Sequence, residues 1–239
     1  MLESRADLVC SIMVQQLVDG AEVLNSQLAA SEYLSQVMQT AAKEASQFGA
    51  CDGYIQKLFV LAERSACQRI LVAASATLAA TAWTDLGNIY YDQSTRLSSP
   101  SLPANGSTTG IEPNELTPLL DAAMSCALAA IQLDSRNSCG YNLQGLVAAH
   151  SQQAALAQHA FIMASRRSPG SALPWANLGF LYLHNGDIEL ANKAFSRTQM
   201  VDPEFVPGWL GQAMIAETLG STEAIELFET CLLSVSASK

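Results

Sequence analysis

The sequence predicts an all-α protein, a solenoid in which antiparallel helix pairs stack into a right-handed superhelix. Three observations support this fold class. Nearly half of the 239 residues are apolar, Ala is abundant and β-branched residues are modest in number, which favours helices over strands. Gly and Pro cluster in a few places, whereas an all-β chain would carry turn signals roughly every ten residues. The third observation is an internal sequence period of 34 residues.

The period is clearest between residues 172 and 205. There the chain follows the pattern W-x2-L-G-x2-Y, then A-x3-F, then P, formed by Trp175, Leu178, Gly179, Tyr182, Ala191, Phe195 and Pro203. This pattern and spacing are those of the tetratricopeptide repeat, a helix–turn–helix unit. Gly179 allows the paired helices to approach closely, and the Trp, Leu and Tyr form one apolar face of the first helix. Asn185-Gly186-Asp187 is the predicted turn, and Pro203 ends the second helix.

Two further repeats flank this one. A step of 34 residues towards the N-terminus reaches the matching residues Tyr141, Gly145, Ala157, Phe161 and Pro169. A step towards the C-terminus reaches Trp209, with Ala224 and Phe228 one residue early. We therefore predict three tandem repeats at 138–171, 172–205 and 206–239, the last of them without a capping helix.

An earlier repeat is predicted at 80–136. Its first helix carries the full pattern as Trp83, Leu86, Gly87 and Tyr90. Its second helix is delayed to 118–133, with Thr117-Pro118 as N-cap and first helical residue. The intervening stretch 94–114 is rich in Ser, Pro and Gly, and we expect a flexible insertion there.

Residues 1–79 show helical periodicity without the repeat motif. Apolar stripes begin at Leu8, at Tyr33 and at Tyr54, the last continuing through Leu58 and Leu61. Breaks at Asp19-Gly20 and at 49–53 separate them. We expect degenerate helical pairs that extend the solenoid.

Composition and charge exclude several classes of function. The formal net charge is −10, so phosphate backbones are repelled and direct nucleic-acid binding is not expected. The basic pair Arg166-Arg167 is too small to change this and reads as a solvated helix end. Six scattered Cys without a C-x-x-C spacing indicate reduced thiols in the cytoplasm or nucleus. No signal peptide and no membrane segment are expected.

No motif for chemistry is present. The sequence lacks nucleophile, zinc-protease and phosphate-loop motifs, so we predict no catalytic residue, no cofactor and no metal site. His150 and His184 occupy the same position in adjacent repeats. A metal pair there is conceivable, but two structural histidines are the commoner case, since no carboxylate or Cys converges on them.

The candidate binding face is the concave surface lined by the first helices. By repeat register it carries Asn142, Leu146, Ala176, Phe180, Leu183, Leu210 and Met214. A carboxylate clamp of the kind that holds chaperone tails is not expected. Asn88 sits at one clamp position, but Thr84, Asn142 and Ala176 stand where Lys would be needed. The apolar groove suits a helix or an extended apolar segment of a protein partner. Alternatively, these residues pack against neighbouring repeats or are covered by other parts of the chain.

Four stretches go beyond the generic repeat: "WTDLGNIYYDQ" at 83–93, "ALAQHAF" at 155–161, "WANLGFLYL" at 175–183 and "GWLGQAMIAETLGS" at 208–221. In the last, Gln212-Ala213 stand where a generic repeat has Leu-Gly. These stretches resemble the family of large tetratricopeptide scaffold subunits of superkiller complexes.

The resemblance implies a non-enzymatic cytoplasmic scaffold. Members of that family hold a DExH-box RNA helicase and a WD-repeat β-propeller subunit, and the assembly feeds messenger RNA to the cytoplasmic exosome for 3′-to-5′ decay. Two alternatives stay open: a generic tetratricopeptide adaptor for a chaperone or transport machine, and a helical accessory domain of an enzyme.

Overall fold

A computed structural model describes residues 52–98, 113–222, 224–229 and 231. The stripes predicted at Leu8 and Tyr33 lie outside these residues. Every regular element in the described part is a helix, which confirms the all-α class. The chain divides into two compact units, an N-terminal unit, Met1–Ser135, and a C-terminal unit, Arg136–Lys239.

The described part of the N-terminal unit contains three long helices, α1 (Asp52–Val72), α2 (Ala76–Ser98) and α3 (Pro113–Leu133). Helix α2 packs against both α1 and α3. Their common core is formed by the buried side chains of Leu58, Phe59, Ala62, Ala66, Leu86, Ile89 and Cys126, with the repeat residues Trp83 and Tyr90 partly buried against it. The α1 members recur every three or four residues, so one face of that helix supplies them.

The predicted insertion 94–114 is wrong at both ends. Helix α2 continues to Ser98, and the Ser and Thr hydroxyls near its end bond to carbonyls of the same helix: Ser94 Oγ donates to Tyr91 O at 2.7 Å and Thr95 Oγ1 to Asp92 O at 3.0 Å. Hydroxyls satisfied in this way are compatible with a helix that continues past them. The central residues 99–112 lie outside the described part.

The predicted start of the next helix at Thr117-Pro118 is also wrong. Helix α3 begins at Pro113, where a missing N–H removes no helical hydrogen bond. Pro118 lies inside the helix, in its second turn, and its ring nitrogen cannot donate to a carbonyl one turn earlier. The preference of Pro for the first position of a helix could apply to Pro113 or to Pro118, and it is Pro113 that starts the helix.

One stretch of α3, Leu116–Leu133, is long and apolar enough to span a membrane by length and composition, with 28% of the stretch buried inside the protein. Its Ala123, Cys126, Ala127 and Ala130 are buried, and α3 packs against α2. A core helix with a small-residue face has the same composition, so this feature is weak evidence for a membrane segment.

Among its described residues, the C-terminal unit has five shorter helices, α4 (Ser138–His150), α5 (Ala154–Arg167), α6 (Leu173–His184), α7 (Ile188–Val201) and α8 (Val206–Thr218), and residues 224–229 are again helical. Helices α4 and α5 form one pair and α6 and α7 the next. Helix α8 packs against α7 and α6, and α6 also contacts α4 and α5, so consecutive repeats share an interface.

The turns between paired helices repeat the 34-residue period in their backbone geometry. Positive φ angles occur at Gln152 (60°), Gly186 (83°) and Gly220 (69°). At each turn the following N–H returns to a carbonyl five residues earlier, as from Asp187 N to Tyr182 O at 2.9 Å. These left-handed residues close the first helix of each pair, a conformation that Gly adopts without strain and Gln does not.

Candidate protein-interaction site

Phe195 explains the glycines of the repeat. Its side chain is 0% exposed and lies against the bare backbone of two helices. A Cβ atom on Gly179 would lie 2.7 Å from Phe195 Cε1, and one on Gly211 of the next repeat would lie closer still. Gly145 and Phe161 repeat the arrangement, with a hypothetical Cβ 2.5 Å from the ring. Each Phe therefore occupies space that only a residue without a side chain leaves open.

The signature residues of both units differ in how far they are covered. Leu86, Gly87, Gly145, Ala157, Phe161, Leu178, Gly179, Ala191, Phe195 and Ala224 are buried, and Trp83, Tyr90, Tyr141, Trp175, Tyr182, Trp209 and Phe228 are half-buried. The prolines Pro169 and Pro203 are exposed in the turns that follow α5 and α7. In the last repeat Ala224 is 7% exposed and Ile225, which stands at the strict 34-residue position, is 66% exposed. Because Ala224 lies one residue before the strict repeat position, the small side chain is the one that is buried.

The predicted concave-face residues fall into three groups. Asn142, Leu146, Phe180, Leu183 and Met214 are half-buried on the first helices, and Leu210 is exposed. Ala176 is 1% exposed, so the prediction that it lines an open groove is wrong. Helix α6 contacts α4 and α8, and a methyl side chain near its start does not reach beyond those neighbours.

Phe180, the aromatic residue of this face, packs against the buried Phe195. The rings of Phe180 and Phe195 meet edge to face, with centroids 5.0 Å apart and planes at 73°. Phe180 and Leu183 also pack against the buried cluster of Ala191, Phe195 and Ile215. Part of each side chain thus serves the core, as one of the alternatives anticipated, and part remains accessible. An aromatic side chain anchored in this way loses little conformational entropy when a partner binds.

A polar pair crosses the same face. Asn177 Nδ2 on α6 donates to Asn142 Oδ1 on α4 at 2.8 Å, and both residues are half-buried. Within the described part of the chain this is the one bond of either side chain, which leaves the Asn142 amide N–H groups and the Asn177 carbonyl oxygen free. Sequence reasoning selected Asn142 and missed Asn177. The available signal was the second Asn 35 residues later, one position beyond the period.

The unusual Gln212-Ala213 pair also finds a physical account. Gln212 Nε2 on α8 donates to Asn192 Oδ1 at 3.1 Å and to Ser196 Oγ at 3.4 Å, both on α7. Ala213 is 0% exposed at the position of the usual Gly. In this repeat Gly211, two residues earlier, provides the space for Phe195. The interface between α7 and α8 therefore combines the contact of Gly211 with Phe195 and the polar bridge from Gln212.

The signature aromatics carry weaker contacts on the outside of each pair. Arg167 Cζ lies 5.9 Å from the centroid of the Tyr141 ring, and Arg197 Cζ lies 6.0 Å from that of Trp175. At exposed sites such cation–π contacts contribute about 0.5–1 kcal/mol each. They tie the second helix of a repeat to its first.

Most of the described titratable groups with displaced pKa values lie in the N-terminal unit; burial also raises the pKa of Cys231 in the C-terminal unit. Burial, and then the nearby Cys67, raises the pKa of the Cys126 thiol to about 11. Burial raises the pKa of Tyr90 as well, and its hydroxyl donates to Glu63 Oε1 at 2.8 Å. Raised values keep both groups neutral, whereas an activated nucleophile needs a lowered pKa.

One residue at a predicted clamp position and the two histidines considered as metal ligands contribute to the helices themselves. Thr84 is 3% exposed and its hydroxyl donates to Ala80 O at 2.8 Å. His150 and His184 end α4 and α6, half-buried and exposed respectively. Among the described residues, no group of three His, Cys, Asp or Glu side chains could hold a metal ion.

Comparison with solved structures identifies the fold. The chain superposes on a thermophilic TPR protein from Thermus thermophilus with a TM-score of 0.56 and 14% identity, covering 91% of this chain and 98% of that one. It also superposes on MamA with a TM-score of 0.53 and 17% identity, covering 77% and 92%. The chain has the tetratricopeptide-repeat fold. No family model matches it.

Comparison with curated sequences confirms the predicted resemblance to superkiller scaffold subunits. The chain is 40% identical to Tetratricopeptide repeat protein 37 of Xenopus laevis over 151 residues, and 40% identical to Superkiller complex protein 3 of Homo sapiens over 148 residues. These matches cover 62% and 61% of this chain. Superkiller protein 3 of Saccharomyces cerevisiae is 33% identical over 100 residues, 42% of this chain and 7% of that protein. The chain spans 9% of the length of the two vertebrate relatives.

Proposed function

We propose that this tetratricopeptide protein is a non-enzymatic scaffold of the superkiller type that holds a protein partner on the first helices of its C-terminal unit. The similarity to proteins named after the superkiller complex supports the kind of assembly. The observation that carries the proposal is the Asn142–Asn177 pair, which spans two repeats beside the anchored ring of Phe180.

The free groups of this pair define the chemistry of the partner. The free Asn142 N–H groups and the free Asn177 carbonyl oxygen match the acceptor and the donor of a peptide main chain, which an extended segment leaves unpaired. The half-buried apolar side chains Leu146, Phe180 and Met214 suit apolar side chains of the same segment. No Lys stands among the concave-face residues to neutralise a terminal carboxylate. The partner is therefore an internal, extended apolar segment.

In this proposal the partners are a DExH-box RNA helicase and a WD-repeat propeller subunit, and the assembly works in the cytoplasm with the exosome on messenger RNA. The ATP chemistry belongs to the helicase. The scaffold's contribution is to raise the local concentration of one subunit near another, a gain that requires no active site.

Binding of the purified helicase and propeller subunits to the chain tests the proposal. We expect the N142A/N177A double variant to weaken binding about 5- to 100-fold, since each hydrogen bond contributes about 0.5–1.5 kcal/mol. Asn192→Ala is the matched control, because Asn192 lies on the second helix α7 and bonds Gln212. Binding of neither subunit, together with tight binding of a chaperone tail peptide, would replace the proposal with the general adaptor function.

The proposal also requires that this chain leave RNA to its partners. With a net charge of −10, it should show negligible affinity for single-stranded RNA at physiological salt, because such binding depends on Lys and Arg near the phosphates. A fluorescence-anisotropy titration measures this. Low-micromolar affinity that is lost in Phe180→Ala would contradict the scaffold-only assignment.

A further inference from the structure

The turn between α5 and α6 carries a Ser-Pro pair directly after two arginines. Helix α5 ends at Arg167, and Ser168 leaves it with φ −130° and ψ 78°. Pro169 and Gly170 are exposed, and Ser168 is half-buried. Two backbone hydrogen bonds hold Ser168: its N–H donates to Ala164 O at 3.0 Å, and its carbonyl accepts from Ser171 N at 3.1 Å. Its hydroxyl has no hydrogen-bond partner in the described part of the chain.

We propose that Ser168 is a phosphorylation site for a proline-directed serine kinase. Pro169 disfavours the helical conformation for the residue before it, which agrees with the non-helical backbone of Ser168. Pro169 also brings no N–H that would need a partner inside a kinase cleft. A short exposed turn with two backbone bonds opens more readily than a packed helix.

The reaction is an ordinary phosphoryl transfer from ATP. The Oγ atom of Ser168 attacks the γ-phosphorus and an O–P bond forms. The bond from that phosphorus to the bridging oxygen breaks, ADP leaves, and the hydroxyl proton passes to the catalytic base of the kinase.

The product would change the charge of a large part of the C-terminal unit. Between residues 137 and 186, Arg166 and Arg167 are the only Asp, Glu, Lys or Arg side chains, and both are exposed. A phosphoserine carries a charge of about −1.5 to −2, which cancels theirs. Charge-assisted hydrogen bonds from the two guanidinium groups would offset the unfavourable position of an anion at the C-terminal end of α5. They would also compete with the contact of Arg167 on the Tyr141 ring.

The chain contains its own comparison site. Thr117 is also followed by a proline, Pro118, and it is exposed, but it lies inside helix α3. Phosphorylating Thr117 requires local unfolding of that helix, so we expect about tenfold or more phosphate on Ser168 than on Thr117. Ser99-Pro100 lies outside the described residues, and Ser99→Ala removes it from every variant tested.

The test incubates the folded chain with ATP and a purified proline-directed kinase, and maps phosphate by mass spectrometry. We expect incorporation at Ser168 in the S99A chain and in variants with Arg166→Gln, Arg167→Gln or Ser171→Ala added. We expect none at residue 168 in Ser168→Ala or Pro169→Ala, with circular dichroism confirming that both variants fold. Incorporation that survives Pro169→Ala but requires the arginines would overturn the kinase class. Phosphorylation of a free peptide spanning 160–176 but not of the folded chain would overturn the site itself.

Discussion

The two units of the chain build helix pairs from the same first-helix motif but hold them together differently. In the C-terminal unit, helices of 12–14 residues meet through a Phe on the second helix and Gly residues on the first helices. In the N-terminal unit, α1, α2 and α3 have 21–23 residues, and α3 contains no Phe to meet Gly87. Phe59 on α1 joins that core instead.

Polar pairs supply the specific contacts of the N-terminal unit. The guanidinium of Arg69, 7% exposed, pairs with the carboxylate of Asp85, 24% exposed, and so links α1 to α2. Tyr90 and Glu63 link the same two helices. In the C-terminal unit, strict repeat spacing places the ring of a Phe against the backbone of Gly residues. In the N-terminal unit the second helix is displaced along the chain and carries no Phe, and the polar pairs join α2 to the preceding helix α1.

The largest expected effect is that of Phe195→Ala in the C-terminal unit. Removing a ring that is 0% exposed and packed against Gly179 and Gly211 should lower the free energy of unfolding by about 3–5 kcal/mol. Amide hydrogen exchange of α6, α7 and α8 in the full chain measures the loss. A change below 1 kcal/mol would show that this ring does not organise the unit.

In the N-terminal unit, Asp85→Ala should lower the stability by about 1.5–3 kcal/mol, because it leaves the Arg69 guanidinium buried without its carboxylate. The double variant Arg69→Met with Asp85→Leu should recover most of this loss, since no buried charge remains. Denaturant unfolding of the three proteins decides the matter. A double variant that is as unstable as the single one would mean that the pair acts through shape rather than charge.

The glycine contacts are tested by adding one methyl group. Gly211→Ala should destabilise the C-terminal unit by about 1–3 kcal/mol, because the new Cβ would overlap the Phe195 ring. Gly170→Ala is the matched control, since a Cβ there meets no atom within 4 Å, and its effect should stay within about 0.5 kcal/mol. Equal effects of the two substitutions on the melting temperature would remove the Phe–Gly contact as the organising feature.

The smallest effect is a dependence on pH in the N-terminal unit. The pKa of Cys126 is raised to about 11 in the folded protein from a reference value of 9.0, so the folded state retains the proton more tightly. Its stabilising contribution is complete below pH 9 and is lost as pH rises through 11. Stability of α2 and α3 should therefore fall over this range, and fall less in Cys126→Ala. Tyr90 and Cys67, whose pKa values are also raised, contribute in the same direction. An identical pH profile in the variant would contradict the assignment.

The sequence by itself determined the class of fold, because the tetratricopeptide pattern is a packing rule written into residue types. Gly179 and Phe195 are 16 positions apart, a separation that a helix, a turn and a second helix convert into contact. The sequence also pointed to the superkiller scaffold family, through stretches such as Gln212-Ala213 that depart from the generic repeat. It selected Asn142, Phe180 and Leu183 on the candidate face.

Only the tertiary structure decided how far each side chain is covered. Ala176 stands in the register of the open face, yet its exposure depends on how closely α4, α6 and α8 approach one another, which no periodicity encodes. Asn177 is one position out of period with Asn142, and the offset between adjacent first helices brings their amides within 2.8 Å. The end of helix α2 is a second example. Ser94 and Thr95 are residue types common in loops, but in the folded protein their hydroxyls bond to carbonyls of the helix to which they belong.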